Sequence, residues 1–99
     1  PDIAKNVCNK IMNNNKALGI LICGTGIGIS IAANKFNNIR CALIHNNFTS
    51  SMAKKHNNAN VIALGSKIIN EKEAYEIINI FLNTDFEGGR HITRLNKLL

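Results

Sequence analysis

A cysteine followed by three glycines is the stretch of this sequence with the clearest chemical potential. Residues 22–30, ICGTGIGIS, place Cys23 directly before an alternation of glycine with other residues. Amide groups at a helix N-terminus bind phosphate, carboxylate or an enediolate, and the same positive end lowers the pKa of a nearby thiol. We therefore expect a thiolate beside an anion site, although a lone cysteine at a strand end is more often an apolar core residue.

Particular residues exclude the two usual nucleotide-binding loops. The dinucleotide fingerprint G-x-G-x-x-G fits Gly24 and Gly26, but its last position holds Ile29. The ribose-binding carboxylate expected about 20 residues further on is absent, because no Asp or Glu lies between Asp2 and Glu71. A Walker A loop requires G-K-[ST], whereas the chain has Ile29 before its serine. An anion-binding turn remains.

Three residues outside the glycine stretch are further candidates for a functional site. His56 lies at the end of a predicted helix, and a lone histidine there is more often on the surface than in a site. It precedes a predicted strand and is therefore expected to point away from the glycine loop of its own chain, so a site shared between subunits would bring the two together. Arg90 and Arg94 are spaced i, i+4 on one helix face, which suits either bidentate phosphate binding or a solvated basic surface.

The composition limits the class of protein. A chain of 99 residues forms one domain at most. The net charge of +6 favours an anionic partner, but four Phe, one Tyr and no Trp are too few for a base-stacking platform. Three cysteines without a C-x-x-C pair indicate neither a disulfide framework nor a zinc site, and they favour a reduced, cytoplasmic location. Cys8 and Cys41 are expected in the core, and no apolar run is long enough for a transmembrane helix.

The elements that must position these groups alternate between helix and strand. Apolar patterning predicts helices at residues 2–14, 26–35, 49–57, 71–82 and 90–97, and strands at 17–23, 40–44 and 60–64. This order predicts an α/β fold, a three-layer α/β/α Rossmann-like open parallel sheet. The leading helix is expected to follow a strand outside this sequence, so the sheet should be incomplete at the N-terminus. Ligands of such sheets bind at the carboxyl ends of the strands, where residues 23–30 should lie.

Three stretches of the chain closely resemble ribose-5-phosphate isomerase B, a family that includes the galactose-6-phosphate isomerase subunits. They are GILICGTGIGISIAANKFNNIRCAL, KKHNNANVIALGSKII and FEGGRHITR. The resemblance implies a single, partial sugar-phosphate isomerase domain over residues 1–99, lacking the family's first strand, which carries an Asp-His pair. It implies interconversion of ribose 5-phosphate and ribulose 5-phosphate through a cis-enediol, without metal or other cofactor.

The resemblance also implies roles for individual residues. Cys23 would be the base that moves a proton between C1 and C2, Thr25 would assist at the sugar hydroxyls, and His56 would open the furanose ring. The expected substrate and phosphate contacts are Gly24, Gly26, Gly28, Ser30, Asn57, Lys67, Arg90 and Arg94. Lys67 stands where many members have arginine, which keeps the charge but loses the planar fork.

The partners implied by the resemblance are a sugar phosphate and a second copy of the chain, in a homodimer or tetramer with shared active sites. Neither nucleic acid nor a membrane is expected as a partner. Two alternatives stay open: an isomerase for allose or galactose 6-phosphate, and a non-catalytic phosphate- or RNA-binding module, which the basic middle of the chain would allow. Should residues 1–99 be the whole molecule, little activity is expected, because the Asp-His strand would be missing.

Overall fold

The computed structural model describes residues 2–14 and 16–98, which form five helices and three strands in the predicted order. Each predicted boundary agrees with the observed one to within two residues. The elements are α1 (Asp2–Met12), β1 (Gly19–Cys23), α2 (Ile27–Asn34), β2 (Cys41–Leu43), α3 (Asn47–Asn57), β3 (Val61–Gly65), α4 (Glu71–Asn83) and α5 (Arg90–Leu98). Within the described ranges, every helix is too short or too polar to cross a membrane.

The three strands form a parallel sheet in the order β1-β3-β2. Gly19 pairs with Val61 and Cys23 with Gly65, so β1 and β3 begin and end together. The chain moves outward from β1 to β2 and then returns to β3. Right-handed crossovers therefore place α2 and α3 on opposite faces of the sheet. The three-layer α/β/α prediction is confirmed.

Two apolar layers cover the two faces of the sheet. One layer, beneath α1 and α2, contains Ala4, Cys8, Ile11, Leu21, Ala33, Ile39 and Val61. The other, beneath α3 and α4, contains Ile44, Ala53, Ala59, Ile62, Leu64, Ile69, Ile77 and Phe81. Every residue of β3 is buried, and its alternating side chains serve both layers. Complete burial of a side chain such as Phe81 stabilises the fold by about 1.5–3 kcal/mol.

The face that α2 turns towards the sheet is made of small residues. The periodicity of apolar residues groups Ile27, Ile31 and Ala32 on one face. Ala32 packs against the layer beneath α1 and α2, but Ile27 and Ile31 are 52% and 57% exposed. Ser30 and Ala33 are buried instead. The carbonyl of Ala33 accepts a hydrogen bond from the Cys8 thiol at 3.9 Å, so α1 and α2 pack closely.

The two cysteines assigned to the core differ in their burial. Cys8 is fully buried, as predicted. Cys41 is half-buried against the same apolar layer. Burial raises the pKa of the Cys8 thiol. Burial and the neighbouring Cys8 raise the pKa of Cys41 to about 12. Both thiols are therefore protonated at neutral pH.

Two capping boxes define where α3 and α4 begin. Asn70 accepts a hydrogen bond from the Glu73 amide at 2.8 Å and donates its own amide to the Glu73 carboxylate at 2.9 Å. Asn46 forms the same arrangement with Thr49, so α3 begins two residues earlier than expected.

Candidate active site

The thiol of Cys23 lies at the carboxyl end of β1 and faces the first turn of α2. The amide of Gly26 donates a hydrogen bond to its Sγ over 3.2 Å. Desolvation acts to raise the pKa of this thiol, but the backbone amides of Ile29, Gly26 and Thr25 act to lower it, and the net pKa is below the ordinary value. Cys23 thus differs in kind from Cys8 and Cys41, because its surroundings stabilise the thiolate.

Gly26 allows the chain to turn directly beneath this thiol. Its φ is 81°, in the left-handed region that favours glycine. A Cβ at this position would lie 2.6 Å from Leu43 Cδ1 and 3.0 Å from the carbonyl carbon of Leu64. The turn therefore packs so closely against the end of β3 that a side chain at this position would force the backbone to shift.

Gly65 makes a second close approach in the same place. A Cβ on Gly65 would lie 2.6 Å from the carbonyl carbon of Thr25, so the end of β3 lies against the backbone of the turn. Gly28 is different, because a Cβ there would meet nothing within 4 Å. The turn is thus built tightly on its sheet side and is open at Gly28.

The loop after β3 brings one cationic side chain to the turn. The amide of Ser66 donates to the carbonyl of Cys23 at 2.8 Å, and the amide of Lys67 donates to the carbonyl of Gly24 at 2.9 Å. The stem of Lys67 passes beside Gly24, with Cε 3.7 Å from the position a Cβ would take. Lys67 is exposed, so its ammonium group is free to meet an anion near this turn.

The two hydroxyl groups of the predicted site have different surroundings. Thr25 is exposed, and its Oγ1 accepts a hydrogen bond from the Ile27 amide at 3.3 Å. Ser30 is only 8% exposed, and its hydroxyl donates to the Ile27 carbonyl at 2.7 Å. Thr25 can thus reach a ligand directly, whereas the hydroxyl hydrogen of Ser30 is engaged within α2.

His56 lies at the other edge of the sheet. We call the edge formed by Cys23 and Gly65 the carboxyl edge, and the edge formed by Gly19 and Val61 the amino edge. Helix α3 ends at Asn57, shortly before β3, so His56 and the exposed Asn57 lie near the amino edge. Five strand residues span about 13 Å between the edges. Within one chain the structure does not bring Cys23 and His56 together.

His56 belongs to a compact group with Glu87 and His91, which we call the His–Glu cluster. The two imidazole rings stack with centroids 4.2 Å apart and planes inclined by 16°. Glu87 Oε1 lies 3.7 Å from His56 Nε2 and 3.5 Å from His91 Nε2. Desolvation, followed by the charges of His56 and Arg90, lowers the pKa of His91, while Glu87 opposes this shift. The neutral form of His91 is therefore favoured.

The predicted phosphate ligands on α5 lie beside this cluster. Arg90 and Arg94 are both exposed, and α5 packs against α3 and carries His91 in its first turn. The structure therefore groups two arginines with His56, and places them at the amino edge with it. Lys67 and the glycine turn occupy the carboxyl edge.

Sequence reasoning missed three residues that shape the amino edge. Glu87 and His91 complete the His–Glu cluster, and their i, i+4 spacing in FEGGRH was a signal that could have found them. Arg40 donates from Nε to the carbonyl of Asn58 at 2.8 Å, which holds the loop that follows His56. Nothing in the local pattern around Arg40 indicates this contact.

Comparison with known proteins identifies the family. A family model described as Ribose/Galactose Isomerase matches residues 1–98. The chain belongs to the ribose/galactose isomerase family. A Rickettsia conorii protein named as a candidate sugar phosphate isomerase is 52% identical over 98 residues, covering 99% of this chain and 68% of the relative. D-erythrulose-4-phosphate isomerase of Pectobacterium atrosepticum is 44% identical over 98 residues, covering 99% of this chain and 64% of the relative.

Solved structures of the family share this fold. Ribose-5-phosphate isomerase B of Clostridium thermocellum matches with a TM-score of 0.95 and 42% identity, over 99% of this chain and 66% of that one. The Mycoplasma genitalium ribose-5-phosphate isomerase B, with bound ribulose 5-phosphate, matches with a TM-score of 0.95 and 43% identity, over 99% of this chain and 65% of that one. This chain thus spans about two thirds of the length of the isomerases it matches.

Proposed function

We propose that the protein interconverts ribose 5-phosphate and ribulose 5-phosphate, with the thiolate of Cys23 as the base. The observation that carries the proposal is the 3.2 Å hydrogen bond from the Gly26 amide to Cys23 Sγ, in a turn whose amides lower the thiol pKa. Membership of the family supports a sugar phosphate as substrate. The ribulose 5-phosphate bound to the Mycoplasma genitalium relative supports a pentose phosphate.

The reaction moves two protons within one sugar, from C2 to C1 and from O2 to O1. The thiolate of Cys23 takes the proton from C2 of the open-chain aldose. The released electron pair forms the C1–C2 double bond, while the π pair of the C1 carbonyl moves onto O1 and gives an enediolate. The thiol then returns that proton to C1, while the hydroxyl proton moves from O2 to O1. Thr25, exposed beside the thiol, is the hydroxyl group we assign to this second transfer.

The glycine turn would stabilise the charge that develops on the enediolate oxygens. Amides of Gly24, Gly26 and Gly28 are the donors we propose, and one such donor is worth about 2.7–4 kcal/mol in other oxyanion holes. Lys67, beside Gly24, adds a positive charge at the same edge. Ser30 would support the site indirectly, because its hydroxyl donates a hydrogen bond to the Ile27 carbonyl in the first turn of α2.

The remaining groups of the proposed site come from the amino edge. His56 would open the furanose ring as a general acid and base, Asn57 would contact the sugar, and Arg90 and Arg94 would bind the phosphate. Because Cys23 and His56 lie at opposite edges of one chain, we propose that each site combines the carboxyl edge of one subunit with the amino edge of a second copy. The assembly is then at least a homodimer.

Replacing the base tests the catalytic part of the proposal. Cys23→Ser should lower the rate of ribulose 5-phosphate formation by about 100- to 10,000-fold, the contribution typical of a positioned acid–base group. Cys41→Ser is the matched control, because its thiol has a raised pKa and lies outside the proposed site. Turnover of Cys23→Ser at the wild-type rate, with the protein folded by circular dichroism, would refute the assignment.

Mixing two inactive variants tests the shared site. Cys23→Ser and His56→Asn subunits should recover about a quarter of the wild-type activity after subunit exchange, because half of the dimers are mixed and each mixed dimer has one intact site. If both groups acted from the same chain, the mixture would stay inactive, and the shared site would be wrong.

A panel of substrates tests the choice of sugar. Ribose 5-phosphate should give the highest kcat/KM when compared with D-erythrulose 4-phosphate and galactose 6-phosphate. The four-carbon substrate is included because the Pectobacterium relative carries that activity in its name. A higher kcat/KM for either alternative would support an isomerase but would show that ribose 5-phosphate is not its preferred substrate.

A further inference from the structure

We propose that His56, Glu87 and His91 bind a divalent transition metal ion of the zinc class. Two imidazole nitrogens and one carboxylate oxygen form a donor set that zinc enzymes use, with the remaining coordination position left to water or another ligand. Imidazole donors select zinc, cobalt, nickel and copper over magnesium and calcium, which prefer sites made of oxygen atoms. The cluster therefore matches this group of metals by the chemistry of its donors.

The distances within the cluster fit one shared ion. One ligand atom from each residue lies within 4.8 Å of the other two. Metal–ligand bonds of about 2.0–2.1 Å in a tetrahedral site place neighbouring donors about 3.3 Å apart. The carboxylate oxygen of Glu87 is already 3.7 Å and 3.5 Å from the two Nε2 atoms. The two rings are stacked with planes inclined by 16°, so the more exposed ring, His56, must rotate out of the stack before both ring nitrogens can face the same ion.

The backbone holds the three ligands in place from two elements and one loop. The Glu87 amide donates to the carbonyl of Lys55 at 3.0 Å, which joins the loop before α5 to the last turn of α3. Gly88 and Gly89, with φ of 70° and 58°, turn the chain between Glu87 and α5. His91 is 4% exposed and therefore rigidly packed. The backbone of the three residues is thus held in place, and the change that binding requires is confined to side chains.

The cluster is also accessible from solvent. The side chains of His56 and Glu87 are 39% and 50% exposed, which gives an ion a path from solvent. A metal binds neutral imidazole, so binding at the cluster releases any proton from the ring nitrogens that it uses. Arg90 and Arg94 on α5 oppose a dication by their charge, so we expect weaker binding than at a structural zinc site.

Metal binding would have a consequence for catalysis, and this part rests on the proposed function. An ion at the cluster occupies a ring nitrogen of His56, which removes the group assigned to ring opening. Zinc should therefore inhibit turnover of the ring-closed sugar, and a chelator should restore it. The thiol of Cys23, at the opposite sheet edge, would be unaffected within the same chain.

Titration with Co²⁺ tests the site without any reference to activity. Wild-type protein should bind one Co²⁺ per chain with the visible absorption of a tetrahedral ion, and Zn²⁺ should displace it. Glu87→Gln and His91→Gln should each weaken binding by about 100-fold or more, because loss of an outer-shell partner alone costs about 10- to 100-fold. Glu76→Gln and His45→Gln, which alter exposed residues outside the cluster, are matched controls and should bind as wild type does.

Two results would overturn the proposal. These are absence of the tetrahedral spectrum in the wild-type protein and unchanged affinity in folded Glu87→Gln. Glu87 is half-exposed, so its variant tests the site even where the buried His91 variant fails to fold. The Co²⁺ spectra do not depend on isomerase activity, so either proposal can be refuted while the other stands.

Discussion

Alanine substitutions at Gly26 and Gly28 should change stability in opposite directions. At Gly26 the backbone φ of 81° costs an L-residue about 1–2 kcal/mol. The new Cβ would also lie 3.0 Å from the carbonyl carbon of Leu64 and 3.2 Å from the amide nitrogen of Gly65, both in the central strand β3. Because that backbone is buried on both faces, the turn itself must move, and we expect a total loss of about 2–4 kcal/mol.

Gly28 is a matched control two residues further along the chain. It lies in α2, is exposed, and a Cβ there would meet nothing within 4 Å. Alanine is favoured over glycine within a helix by about 0.5–1 kcal/mol, so Gly28→Ala should stabilise the protein. Both variants replace glycine with alanine, so any difference between their stabilities must come from the backbone geometry and the space around each position.

Urea denaturation measures both effects as changes in the midpoint at constant m-value. A second measurement is the rate at which iodoacetamide alkylates Cys23, because displacement of Gly26 weakens the hydrogen bond that favours the thiolate. Gly26→Ala should lower the midpoint and slow alkylation at neutral pH. Equal stability of the two alanine variants, or a Gly26→Ala variant more stable than the wild type, would refute the description of the turn.

Two further predictions concern the Cys23 thiol and the packing of α3 on α4. Iodoacetamide reacts with the thiolate, so the pH at half of the maximal alkylation rate reports the pKa of the thiol. For Cys23 this pH should lie below the value of about 8.5 for a free cysteine, because the backbone amides lower the pKa. A value at or above that of a free thiol would contradict the described amide environment. Ser50→Ala should lower the free energy of unfolding by about 1–2 kcal/mol, because the buried Ser50 hydroxyl donates to the Ile77 carbonyl at 2.8 Å. The exposed Ser66→Ala is its control in urea denaturation, and an equal effect of the two would show that the buried bond contributes nothing.

The sheet was predictable from the sequence because its strands are marked by short apolar runs. VIALG is apolar throughout, as a strand covered on both faces must be, and it is the central strand β3. The inward face of α2 was harder to predict from the pattern of apolar residues. Large apolar residues dominate a periodicity argument, whereas close packing of α2 on α1 selects the small Ala33 and Ser30 and leaves Ile27 and Ile31 in solvent.

The start of α3 shows a related limit. Thr49 is a good N-cap residue, and taken alone it marks a helix beginning near position 49. In the structure Asn46 is the cap, and Thr49 returns a hydrogen bond from the third position of the helix. Local sequence therefore identifies the residue types of a capping box, while their order is decided by the backbone that leads into the helix.

Some contacts of the candidate site can be predicted from local sequence, whereas others depend on the fold. Cys23 and the Gly26 amide are three residues apart, so one turn of chain is enough to predict their contact. His56 and Glu87 are 31 positions apart, and they meet because α5 returns to pack on α3 after α4. That return also places the arginine pair at the amino edge, away from the thiol. The separation of base and arginines within one chain is a property of the topology, and it is the physical reason that a second copy is needed to complete the proposed site.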